Sequence, residues 1–287
     1  MASRTRTNPT AAQGRPFADR HLLVALARAA AGAMLFGLPL FMTMEMWRLG
    51  FTIEPARLAL YVVVSLPLLA GLAYIAGFRD DTDWFDAAVD GLVAWLVGAL
   101  TGAAVLALLG ALTPEMSLAE LAGKIAVVAV PAGVGAALAR SQLGEREEEQ
   151  EEKAPRESYG GELFLMAAGA VFFAFNLAPT DEIPLIAHQQ RSPWVAVALV
   201  ALSLLALHGF VYGAGFRGQH APRPGRSLRA DLLGLTLPGY VIVLVACTYV
   251  LWTFGRLDGL APGAMLHVVL VLGLPASIGA AAARLIL

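Results

Sequence analysis

The chain holds one cysteine, Cys247, and it lies inside an apolar run. A single thiol forms neither a disulfide framework nor a thiolate metal site within the chain. Charge is scarce too: Asp, Glu, Lys and Arg make up 15% of the residues, where soluble domains carry about 25%. The signatures of common active sites are missing. There is no His-x-x-Glu-His, no P-loop, no dinucleotide fingerprint, no Gly-x-Ser-x-Gly, no zinc spacing and no EF-hand loop. Enzymatic activity, an organic cofactor and a nucleic-acid partner are therefore not expected. The pattern leaves open whether a metal ion binds.

What is present is apolar. Hydrophobic residues make up 58% of the 287 positions, and the mean hydropathy is +0.68. The excess sits in long runs of the length that a bilayer core requires. Eight runs emerge: about 22–46, 57–77, 88–111, 118–140, 161–178, 192–214, 230–254 and 262–285. Backbone inside a bilayer must satisfy its own hydrogen bonds, so runs this uniform predict helices. A barrel strand would alternate in polarity, and these do not. The expected fold is an all-α polytopic membrane protein.

Orientation follows from the basic residues. Of 20 lysines and arginines, only Arg48, Arg57, Lys124, Arg191 and Arg256 fall on the side opposite the N-terminus. Both termini are therefore expected in the cytoplasm of a cell whose plasma (inner) membrane the chain crosses. No cleaved signal peptide is expected, because the first apolar run is too long.

The sequence also repeats itself. AGAMLFGLPLFMTMEM (31–46) answers AGAVFFAFNLAPTDEI (168–183), AYIAGFRD (73–80) answers VYGAGFRG (211–218), and VPAGVGAALAR (130–140) answers LPASIGAAAAR (274–284). Three matches in one order predict a duplication. The expected organisation is a polar tail (1–21), a first four-helix repeat (22–141), an acidic linker (142–160) and a second four-helix repeat (161–287). Four spans per repeat is an even number, so the copies enter the membrane in the same sense. They are then related by an axis along the membrane normal. The linker reads as a solvated charge run.

Polar groups inside apolar helices are the candidate sites. The foremost is the repeated Thr-x-Glu element, with Thr43 and Glu45 in the first copy and Thr180, Asp181 and Glu182 in the second. Pro179 and Pro184 flank the second element, and proline breaks helices. The fifth span is expected to stop near Ala178, with Thr180 as N-cap of a short helix carrying acids in its first turn. Broken helices with acids at the break suit ion binding. The opposing reading is that Glu45 and Glu182 lie outside the hydrocarbon and only cap the interface. A second set joins Arg79 with Asp90 and Arg217 with Asp231 at the inner side, as ion pairs or an inner gate. The plainer reading is snorkelling arginines. His208 and His267 lie inside spans, as proton relays or, more simply, packing residues. Small residues at Gly133, Gly135, Ser277 and Gly279 place the fourth and eighth spans in the interior.

The elements APTDEIPLIA (178–187), the two Gly-Phe-Arg triplets and PASIGA (275–280) resemble a family of bacterial multi-pass integral membrane proteins labelled a domain of unknown function. The resemblance covers roughly residues 20–287 and implies membrane location but no activity. The first copy departs from the pattern: Met42, Met44 and Trp47 stand where Pro179, Asp181 and Pro184 stand. The expected function is an ion pathway, a channel or carrier for an inorganic cation or proton. A homodimer would ring four Thr-x-Glu elements about one axis. The alternative is a non-transport scaffold, sensor or complex subunit, whose partners would include the lipid bilayer.

Overall fold

The structure, a computed structural model, describes residues 15–75, 83–142, 158–190, 192–212 and 228–286. Among these the elements are helical throughout: α1 (Arg15–Phe41), α2 (Met44–Thr52), α3 (Pro55–Ile75), α4 (Trp84–Leu108), α5 (Leu118–Gln142), α6 (Tyr159–Leu177), α7 (Glu182–Gln189), α8 (Pro193–Tyr212), α9 (Leu228–Asp231), a π-helical turn (Leu232–Thr236), α10 (Leu237–Thr253) and α11 (Pro262–Ile286).

Seven stretches are long and apolar enough to cross a membrane, and a shorter apolar helix covers Pro193–Gly209 in α8. The first expected run, 22–46, is divided: α1 ends at Phe41 and α2 starts at Met44. The fifth ends as its sequence indicated, with Ala178 as C-cap of α6. The spans read as interior, α5 and α11, are the most enclosed, with 72% and 61% of their apolar windows buried. Their small residues explain it. A Cβ on Gly32 of α1 would stand 2.5 Å from the carbonyl oxygen of Gly135 in α5, and one on Gly279 of α11 would stand 2.5 Å from that of Gly169 in α6. Backbone meets backbone at both crossings, which brings the most atoms into dispersion contact where lipid offers no hydrophobic drive.

The first group of helices (α1 to α5) meets the second (α6 to α11) along an aromatic seam. Phe36 and Phe172 stack edge to face at 5.3 Å between ring centres. Tyr61 of α3 meets Phe175 at 5.2 Å and Phe254 at 5.7 Å. Its hydroxyl donates to the carbonyl of Val127, 3.0 Å away. Edge-to-face pairs at such distances add to simple burial. Farther along, Gly71 near the end of α3 lies against the ring of Phe164 near the start of α6. So α3 runs opposite to α6, and α1, which meets α6 through Phe36 and Phe172 near the C-terminal end of each, runs with it.

Helices α4 and α10 end in the same turn. Gly110 and Gly255 both take φ +71°, the left-handed conformation that glycine adopts without a Cβ penalty. Ala111 N–H donates to Leu106 and Arg256 N–H to Leu251, both at 2.8 Å, and Gly110 and Gly255 donate to Ala107 and Trp252. This is the Schellman closure, which satisfies the last carbonyls of a helix.

Candidate functional site

The two helix breaks, Met42–Thr43 and Ala178–Asp181, lie on one face of the molecule, here termed the corner face. Thr43 and Thr180 behave alike there. Each hydroxyl donates back to the carbonyl three residues earlier, Leu40 and Leu177, at 2.9 Å in both cases. Each backbone N–H reaches the same carbonyl, at 3.2 and 3.1 Å. The threonines thus terminate the preceding helix by occupying a carbonyl that the break leaves free.

This corrects the capping expectation. Asp181, not Thr180, is the N-cap of α7, and neither it nor Thr43, the N-cap of α2, makes a side-chain cap bond. The surrounding ties differ between the breaks. Trp47 Nε1 donates to Phe41 O at 2.7 Å. At the second break Arg256 donates to the Pro179 carbonyl and holds the Asp181 carboxylate at 2.6 Å.

Arg57, Lys124 and Arg256 each make their contacts at this face. Arg57 grips Asp258 at two points, 2.9 and 3.0 Å, donates to Trp252 O at 2.9 Å, and stacks on the Trp252 ring with 4.9 Å from its central carbon to the ring centre. Glu54 adds a contact at 3.2 Å. Lys124 is buried; its ammonium donates to Ala111 O at 2.8 Å, a cation placed on the carbonyls at the end of α4. Gly50 of α2 packs on its stem and on the backbone of Gly123. These residues were not singled out from sequence. The signal available was their rarity on that side of the expected topology.

The acids of the repeated element differ in their surroundings. Glu45, in the first turn of α2, is half-buried, and Glu182, in the first turn of α7, is exposed. Asp181 is engaged by Arg256 with its side chain 69% exposed. The seam between the two groups is filled instead by Phe36, Phe172, Tyr61, Phe175 and Phe254. One open groove of about 490 Å³ runs along α10 past Val241, Leu244, Val245, Thr248, Tyr249 and Trp252; its wall is mostly aliphatic, and it offers no set of convergent charges.

At the opposite face, Asp90 is half-buried near the start of α4, and Asp231 is buried at the entrance to the π turn. Arg79 and Arg217 lie outside the described residues, so the two expected inner pairs do as well. Glu162 of α6 and Arg284 of α11 form an ion pair there at 3.4 Å, with side chains 10% and 19% exposed. His208 Nδ1 shares a hydrogen bond with Thr236 Oγ1 at 2.9 Å, and His267 Nδ1 donates to Gly263 O at 2.9 Å. No cluster of three or more His, Cys, Asp or Glu able to hold a metal ion occurs among the described residues.

The family described as "Putative integral membrane protein (DUF2391)" matches residues 25–287. No curated protein and no solved structure matches the chain.

Proposed function

The chain belongs to that family and is an integral membrane protein, and we propose that it is a non-conducting membrane scaffold or complex subunit, made of two copies of a four-pass unit set in the same sense. The copies are residues 22–141 and 161–287, each end of the chain is cytoplasmic, and the corner face looks away from the cytoplasm.

Several contacts support the two copies. The Gly32–Gly135 crossing recurs as Gly169–Gly279, the Thr43 back-bond as that of Thr180, and the Gly110 turn as that of Gly255. The eighth pass is α8. Its 20 residues reach about 30 Å at roughly 1.5 Å per residue, the thickness of a bilayer core.

One observation carries the non-conducting reading. The level at which both copies bring their helix breaks together is filled by the Tyr61–Phe175–Phe254 cluster, while Asp181 and Glu182 are exposed. An ion moving between the copies at this level would have to displace packed rings. The corner face presents a rigid polar surface, tied by Arg57–Asp258 and Arg256–Asp181. That suits recognition by a partner better than passage.

The test is flux in liposomes. The purified protein is expected to move H⁺, Na⁺ and K⁺ no faster than empty vesicles. Flux that is present in the parent and lost in Glu45→Gln with Glu182→Gln would replace this reading with an ion pathway through the Thr-x-Glu elements.

A further inference from the structure

Helix α10 carries two rows of side chains spaced four residues apart. Val241, Val245 and Tyr249 form one row, and Leu244, Thr248 and Trp252 form the other. Rows at this spacing are the ridges of an α-helix, and a channel runs between two neighbouring ridges. The open groove of about 490 Å³ is lined by these six residues. Val241 and Val245 are 59% and 64% exposed. The Thr248 hydroxyl is spent on Leu244 O at 2.8 Å, which removes that donor from the wall.

The depth of the groove says what fits it. The stretch Arg229–Thr253 is long and apolar enough to cross a membrane, and Val241 is its middle residue. The groove takes up the half from Val241 to Trp252, whose carbonyl Arg57 holds at the corner face. At roughly 1.5 Å per residue this half is about 17 Å long, close to one leaflet of a hydrocarbon core about 30 Å thick. Trp252 stands at the outer end, where tryptophan marks a membrane interface. On the other side of Val241 the π turn (Leu232–Thr236) changes the winding, so the rows do not continue in register. A partner helix crossing the whole bilayer would lose the rows halfway. A hydrocarbon chain anchored at one interface needs only one half.

We propose that this groove holds one acyl chain of a phospholipid from the leaflet at the corner face, with its ester region level with Trp252. Recognition is by shape: methylenes between two walls gain more dispersion contact than methylenes against one. The headgroup is not selected, because Arg57, the cation beside Trp252, is already held by Asp258.

Helix α4 shows what the walls contribute. Counting back from the like turns at Gly110 and Gly255, Ala99, Ala103, Ala104 and Ala107 stand where Leu244, Thr248, Tyr249 and Trp252 stand. Leu96 and Leu100 are exposed there, but alanines raise no second wall. The comparison needs only the two turns, and the proposal does not rest on the non-conducting reading.

Photo-crosslinking of the full chain in lipid nanodiscs tests the site. The probe is phosphatidylcholine with a diazirine midway along one acyl chain, and adducts are located by peptide mass spectrometry. An adduct is expected within residues 241–252. Val245→Trp, at an exposed position, fills the channel and is expected to cut that adduct about threefold or more, because the chain loses its second wall. Leu100→Trp is the control on the flat face of α4 and should leave the adduct there unchanged. Replacing the probe by its phosphatidylglycerol counterpart should leave the α10 adduct unchanged too. No adduct in 241–252, or equal responses to the two tryptophans, would overturn the proposal. So would a disulfide-linked dimer of Val245→Cys in a Cys247→Ala background, which would give the groove to a second copy of the chain.

Discussion

Arg57, at the start of α3, holds Asp258, in the turn before α11, by two parallel hydrogen bonds of 2.9 and 3.0 Å across 201 residues of chain. The same guanidinium sits over the Trp252 ring, its central carbon 4.9 Å from the ring centre. It therefore ties the first helix group to the second at the corner face.

A bidentate, stacked arginine is not replaceable by lysine, whose ammonium is a point donor without a planar face. Arg57→Lys is expected to lower the thermal midpoint of the detergent-solubilised protein measurably. Glu54→Gln, which removes one exposed neighbour of the same arginine, should lower it less. Equal effects would mean that charge alone, not the fork and the stack, holds the contact.

The glycine crossings are expected to be intolerant. Gly32→Ala and Gly169→Ala each push a methyl into a facing backbone, an overpacking cost of about 1–3 kcal/mol apiece. Gly209→Ala is the control, since a Cβ there meets nothing within 4 Å. It should be neutral or slightly stabilising in chemical unfolding. Matched losses at Gly32 and Gly169 would also agree with equivalent roles in two copies.

Much of this was legible in the sequence. Length and hydropathy are enough to mark the spans, because a bilayer demands long apolar helices. The stop at Ala178 was legible from Pro179 and Thr180. The break at Met42 was not, since Met42 and Met44 stand where proline and aspartate stand in the other half, and Pro39 lies inside α1. What ends α1 is the Thr43 back-bond and the Trp47 indole on Phe41 O, which are contacts and not propensities. The cross-chain clasp was hidden for the same reason: Arg57 and Asp258 meet only once the helices pack. The acids of the Thr-x-Glu element were visible, but their direction depends on how α2 and α7 lie, which no local pattern specifies.

The threonines of the element matter for the helix ends. Thr43→Val and Thr180→Val keep the shape and delete the back-bond. Each is expected to cost about 1 kcal/mol, the usual net worth of such a hydrogen bond. Glu182→Gln, at an exposed side chain, should change stability by no more than about 0.5 kcal/mol, as surface substitutions do. Unfolding titrations of the three variants separate the two roles.

The Glu162–Arg284 pair is largely buried. Glu162→Gln leaves the arginine without its counter-charge and is expected to destabilise by roughly 3 kcal/mol. Pairing it with Arg284→Met should recover part of that loss, since removing both charges also removes their desolvation cost. No recovery in the double variant would show that the pair is not coupled.

Sidedness is the most direct test, because the whole account needs both helix breaks on one face. In a Cys247→Ala background, Met44→Cys and Leu185→Cys place single thiols on α2 and α7, at side chains 69% and 54% exposed. A membrane-impermeant maleimide added to intact cells is expected to label both. Labelling of one thiol from outside and the other only after the cells are opened would contradict the co-oriented arrangement.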